Sequence, residues 1–436
     1  MMIETTTKRE TEGEGAIEKS IETPPRNAHQ TSTFYGWFVV AACFCLTLTL
    51  GETFWSFGVF LKPLQHEFGW SRADVSSIFS AFILGYSLSL IASGRLADRY
   101  NPKPVLLASA SLIACGLCLC SVAGTLNQFR LFLCIVGLGS GATWSVPNSI
   151  VQRWFYRRKD AGLALGLVVS GVGVGALIFA PLINYLILNH GLKNTFLIIG
   201  ILFFVIVVAA TLVLRPSPAR IGPIPKDSPE VVGRTVVRAP ATKRLMMTWA
   251  FLALTFVLSV GIFTFQILCT HIVAHATDAG VSSTVSAAAL GLMGGFSIPG
   301  RILSGILAGR LGWHRLLSLS FFGMGFATLL LLVMEDAWML YIFVLSYGVF
   351  HGVRISGQLG VIPEVFGIRS LGELIGISTA IGQMISFAAP YAAGLIFDAT
   401  GSYTPVFLVI FVLMMTAGFV VAMLKRIAAG RVTVEA

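Results

Sequence analysis

The feature that most constrains this chain is a series of apolar stretches, most about twenty residues or longer, separated by short polar connections. They fall at 34–60, 74–95, 104–124, 128–150, 163–187, 194–214, 246–271, 283–308, 315–334, 338–361, 371–396 and 403–424. A hydrocarbon core about 30 Å thick needs roughly 20 residues of helix to cross it. In lipid only helices and closed barrels satisfy their own backbone, and barrel strands are shorter and alternate in polarity. The pattern predicts an all-α integral membrane protein of twelve transmembrane helices. Composition agrees, with 56% hydrophobic and 11% charged residues, against roughly 25% charged in soluble chains.

The net charge of +10 would suggest nucleic acid in a soluble protein. Here the basic residues sit in short connections, so topology explains them and no nucleic-acid partner is expected. Twenty of the thirty lie in one set of alternate loops and the C-terminal tail. Only Lys62, Arg72, Arg130 and Lys193 lie on the opposite side. The positive-inside rule then places both termini in the cytoplasm of a cell-membrane protein. The seven cysteines all lie in apolar runs and read as buried thiols. No metal, cofactor or catalytic nucleophile is indicated, so an enzyme is not expected. Gly171, Gly173 and Gly175 lie inside an apolar run with no strand before them, which excludes a nucleotide loop.

The chain also repeats itself. Gly94-Arg-Leu-Ala-Asp-Arg99 matches Gly305-Ile-Leu-Ala-Gly-Arg310 at an offset of 211 residues, and Gly137 and Gly141 match Gly348 and Gly352 at the same offset. Two six-helix, pseudo-symmetric halves follow, at 34–214 and 245–426. A disordered tail (1–33), a linker (215–244) and a C-terminal tail (427–436) would lie in the cytoplasm. Repeats of this kind place a solute site at the interface of the halves, near the bilayer midplane.

Ionisable residues inside spans mark that site, since a charge at a helix centre costs about 2.5–3.5 kcal/mol on insertion scales. Arg301 and Arg354 are the two cations within spans, and His351 lies one turn before Arg354. A guanidinium fork offers a carboxylate two parallel hydrogen bonds. Tyr86, Asn148, Gln266 and Gln383 are further polar candidates for substrate binding. Glu52 is the only acid well inside a span and is a candidate for a coupling proton. Asp98 and Arg99 close the second span. Asp98 is placed to cap the start of the eleventh span, as a helix dipole favours, and so to latch a cytoplasmic gate.

Gly94, Asp98 and Arg99 after the second span, with the repeat, resemble the major facilitator superfamily. A narrower resemblance is to the monocarboxylate transporter family, including its bacterial relatives and the oxalate–formate exchangers. It rests on Tyr35-Gly36-Trp37-Phe38 at the first span and on Arg153-Trp154-Phe155-Tyr156-Arg157-Arg158-Lys159-Asp160-Ala161-Gly162 before the fifth. The resemblance implies the major facilitator fold, and it implies that Arg301 is the carboxylate-binding arginine. It also implies departures. Ser297 stands where proton-coupled members often carry an acid, Trp55 where some carry a lysine, and Ile381 where oxalate exchangers carry one.

These readings converge on a secondary transporter of small organic anions in a lipid bilayer. The first expectation is proton-coupled transport of a lactate- or pyruvate-like monocarboxylate by a functional monomer. The alternatives are an organic anion antiporter, a drug efflux carrier and a non-transporting membrane sensor.

Overall fold

The computed structural model describes residues 28–99, 101–155, 160–215, 247–366 and 371–429, and every regular element among them is helical. In chain order they are α1 (Ala28–Trp55), α2 (Phe57–Phe68), α3 (Arg72–Arg99), α4 (Pro102–Cys120), α5 (Leu126–Trp154), α6 (Ala161–Val213), α7 (Trp249–Asp278), α8 (Ser283–Leu311), α9 (Trp313–Leu329), α10 (Ala337–Phe366), α11 (Leu371–Ser386), α12 (Ala389–Thr400) and α13 (Thr404–Ala429).

Helices and spans differ at three places, each with a local cause. The 53-residue α6 holds the fifth and sixth spans, folded at Gly191 with φ 76°, a conformation that favours glycine. The first span is α1 and α2, broken at Ser56. The eleventh is α11 and α12, broken just before Pro390, which sits in the first turn of α12. A proline there loses no helical hydrogen bond. Among the described residues, eleven long apolar helical stretches, one of them folded at Gly191, thus make twelve spans.

Helix starts are capped by side chains. Asn101, Thr125, Thr248 and Ser282 each accept a hydrogen bond from a backbone N–H of the first turn. Such caps satisfy donors that a helix leaves orphaned.

The repeat is realised in packing. A Cβ on Gly137 or Gly141 of α5 would strike α3, and one on Gly348 or Gly352 of α10 would strike α8. Matched glycines therefore let matched helix pairs approach closely. The outward faces carry exposed leucine, isoleucine and phenylalanine, among them Leu188, Leu212, Ile306 and Phe419, as a lipid-facing surface requires.

The halves meet unequally along their length. At the end remote from the 215–244 linker, α2 lies on α7 and α3 on α12; Gly58 meets the Cys269 carbonyl and Gly394 meets Ala73. Midway, α6 and α8 touch at Gly173 and Gly294. Toward the linker end, among the described residues, nothing packs over Gly162 and Gly166 of α6 or Gly305 and Gly309 of α8. Among the described residues, the halves pack closely at the end remote from the linker and leave these glycines uncovered toward it.

Candidate functional site

Midway between those ends, α10 presents Tyr347, His351 and Arg354 at positions i, i+4 and i+7. That spacing puts all three on one helix face. All are buried, Arg354 at 5% exposure. Arg301 comes from α8. The Gly352 backbone lies directly on the Arg301 backbone N, so the two arginine-bearing helices are held at one level. Arg354 reaches toward α7, where Gly261 leaves room for its guanidinium; a Cβ on Gly261 would meet Nη1.

The guanidiniums are only partly satisfied. Arg301 Nη1 donates to the Val169 carbonyl of α6 at 3.0 Å, a bond that crosses between the halves. Arg354 Nη1 donates to Gln358 Oε1 at 3.2 Å. The Nε of each arginine is buried without a partner, as are His351 Nδ1, both amide atoms of Gln266 and Gln383 Oε1. Buried polar atoms are nearly always hydrogen-bonded, and leaving one unmade costs about 1–3 kcal/mol. Among the described residues neither arginine forms an ion pair with a carboxylate. Like charges placed together in a low dielectric repel strongly. An anion bound by both would cancel that repulsion and fill the open valences.

Aromatic rings cover the pair. Trp55, at the end of α1, meets Phe265 of α7 edge-on at 4.7 Å and His351 at 5.4 Å. Phe265 stacks on His351 at 4.5 Å. Trp55 belongs to the first half and the other two to the second, so these rings seal the arginine level from the closed end.

The sequence candidates thus divide. Arg301, His351 and Arg354 are brought together. Gln266 of α7 and Gln383 of α11 are buried or half-buried, with unpartnered atoms. Tyr86 packs in the first half against Phe54 at 4.6 Å. Asn148 donates to the Trp144 carbonyl of its own helix at 2.7 Å. The side chains of Glu52, Asp98 and Arg99, and residues 156–159 of the fifth-span motif, lie outside the described residues. Trp55 and Gly261 are site residues that the sequence pattern does not mark. A lone glycine inside the Val-, Leu- and Phe-rich α7 was the one available signal for Gly261.

Two helical halves that pack at one end, with incompletely satisfied arginines midway between them, fit a secondary transporter. The chain belongs to the major facilitator superfamily, which it matches over residues 37–353, and it is a transporter and not an enzyme. Within that superfamily it is similar to monocarboxylate transporters. It is 27% identical over 383 residues to monocarboxylate transporter 13 of Rattus norvegicus, covering 86% of this chain and 85% of that one. It is 28% identical over 397 residues to monocarboxylate transporter 3 of Rattus norvegicus (88% and 78% covered). Against monocarboxylate transporter 12 of Homo sapiens it is 26% identical over 402 residues (86% and 77%). Among solved structures it is similar in fold to a bacterial homolog of the human lysosomal transporter Spinster, in an inward-facing, unoccupied conformation. The TM-score is 0.66 at 16% identity, covering 91% of this chain and 96% of that one.

Proposed function

We propose that the protein carries a small organic monoanion, lactate- or pyruvate-like, together with a proton, by alternating access of its two halves at 34–214 and 245–426. The observation that carries the reading is the half-buried Arg301 and the buried Arg354. Each presents an unpartnered Nε, and no described carboxylate pairs with either. A carboxylate held by these guanidiniums would satisfy donors that the protein leaves unpaired. Gln266, Gln383 and His351 then offer hydrogen bonds to the rest of the solute. The relatives' names, monocarboxylate transporters, agree with that chemistry.

Glu52 remains the candidate proton carrier. It lies three residues before Trp55 in the sequence of α1. The linker end is cytoplasmic by its basic residues, which makes the closed end the outer one in a plasma-membrane monomer. Asp98 and Arg99 are proposed to gate the cytoplasmic end.

Anion exchange is the second reading, and Ser297 favours it. With serine where coupled relatives carry an acid, the arginines have no resident counter-charge on α8, and swapping one anion for another never leaves them bare.

Uptake of labelled L-lactate into proteoliposomes, with and without an inward proton gradient, tests both readings. Gradient-stimulated uptake that Arg301→Ala abolishes supports symport. Uptake only into vesicles preloaded with an organic anion supports exchange. Folded protein that moves no organic anion under either regime rejects the anion reading.

A further inference from the structure

The closed end is held by a cluster that none of the site residues above belongs to. Arg72 opens α3 in the first half and is 6% exposed. Its Nη2 donates to the Asp278 carboxylate at the end of α7. Its Nη1 donates to the Tyr403 hydroxyl at 2.9 Å. Its guanidinium carbon lies 3.6 Å from the centre of the Phe397 ring, a cation–π distance. Lys62 of α2 pairs with the other Asp278 oxygen at 2.7 Å. Every one of these partners of Arg72 and Lys62 comes from the second half.

A second carboxylate acts on the backbone. Asp398, near the end of α12, accepts from the Arg72 N–H at 3.1 Å and from the Ala73 N–H at 2.9 Å. It caps the start of α3 from the opposite half of the molecule, where the helix dipole favours negative charge. Gly394, one turn earlier on α12, lets that helix lie against Ala73.

Behind Tyr403 the chain of bonds continues. His271 Nδ1 lies 2.8 Å from the Tyr403 hydroxyl, and its Nε2 lies 2.9 Å from the Pro390 carbonyl. A carbonyl only accepts, so Nε2 carries the proton and Nδ1 accepts from Tyr403. The same Nε2 lies 3.3 Å from Ser76 Oγ, one turn along α3. The network is satisfied from Arg72 to the break between α11 and α12.

We propose that this cluster is the bolt of the far gate. The Arg72–Asp278–Tyr403 bonds and the Asp398 cap hold the central site shut on that side, and all must part before the site opens there. The inference rests on the two-half transporter fold and not on the identity of the cargo. An alternating carrier needs contacts present in one state and absent in the other, because an equilibrium shifts only through differential interactions. These contacts qualify: all cross the halves, all lie at the end that must separate, and none touches the arginine pair. Charge-assisted hydrogen bonds are worth enough that losing one or two shifts a two-state ratio about tenfold or more.

The test is a pair of distance distributions by double electron–electron resonance, on full-length protein in nanodiscs without solute. Labels at His66→Cys and Glu335→Cys report the far end. Labels at Leu163→Cys and Ile306→Cys report the linker end. All four positions are exposed, and the native cysteines are replaced. In Arg72→Gln and Asp398→Asn the far-end pair gains a longer-distance population, about tenfold over the parent, and the linker-end pair gains a shorter one. Arg130→Gln is the control, because Arg130 pairs with Asp74 in the same half; it leaves both distributions unchanged. Should Arg72→Gln fail to fold, Asp278→Asn with Asp398→Asn carries the test. Unchanged distributions in folded gate variants, or an equal shift in Arg130→Gln, overturn the proposal. Because the readout needs no cargo, it stands or falls separately from the anion reading.

Discussion

Two groups of arginine in this protein are handled in opposite ways. At the far end Arg72 has a carboxylate, a phenol and an aromatic face, with a second carboxylate on its own backbone N–H. At the centre Arg301 and Arg354 share one carbonyl and one side-chain amide, and each keeps a buried Nε without a partner. Burying a charge is expensive unless it is paired. The far cluster meets that cost within the protein, and the central pair leaves it open. The difference teaches how to read a buried cation in a membrane: a satisfied one holds structure together, and an unsatisfied one awaits a solute.

That contrast breaks most sharply if activity and stability respond alike at both places. Arg301→Ala is expected to lower organic anion uptake on the order of 100-fold, as loss of a bidentate charged contact implies. Its melting temperature should hold or rise, because a repelling charge is gone. Arg354→Gln should behave the same way. Uptake in proteoliposomes beside a thermal melt in detergent checks both halves of the statement.

Arg72→Gln should invert the pattern. It removes the donor to the Tyr403 hydroxyl and leaves one Asp278 oxygen without its partner, and a loss of roughly 2 kcal/mol in stability is expected. The melt should fall by several degrees, while anion binding to the folded protein changes less than twofold. A variant that binds no anion and melts normally would show that the two arginine classes are wrongly assigned.

Gly261→Val sharpens the account at one remove. Its added side chain takes the room of the Arg354 guanidinium, and overpacking of this kind costs about 1–3 kcal/mol. Uptake should fall about tenfold, with wild-type uptake restored in Gly261→Ala only in so far as the arginine can shift. The smallest effect is expected at Asn148→Ala, because that amide is spent on its own helix at Trp144; uptake should stay within about twofold of the parent.

Much of this was legible in the sequence, for physical reasons. Apolar length gave the spans, and the fold at Gly191 falls between the fifth and sixth, because a membrane crossing must end near twenty-odd residues. Gly137, Gly141, Gly348 and Gly352 announced the repeat because close backbone approach excludes a side chain. Arg301 and Arg354 stood out because a charge inside an apolar run is rare. The far cluster was not legible. Lys62 and Arg72 lie at span ends, where charges are usually solvated, and Arg72 meets partners 206 and 331 residues away in sequence. Only the folded halves bring them together. A carboxylate cap on the eleventh span is expected at Asp98, whose side chain lies outside the described residues. The structure shows that device between the same two spans at the opposite end, with Asp398 of the eleventh capping the second. Trp55 was noted only as the residue standing in place of a lysine; its position over His351 depends on the break at Ser56.

The most direct measurement is thermal stabilisation of purified protein by L-lactate and pyruvate, in the wild type and in Arg301→Ala. A ligand that binds the folded state raises the melting temperature in proportion to the logarithm of its excess over Kd. The account predicts a concentration-dependent rise in the wild type that disappears in Arg301→Ala, although the variant itself melts no lower. An equal rise in both proteins would contradict it, since the anion would then be held somewhere other than the arginine pair.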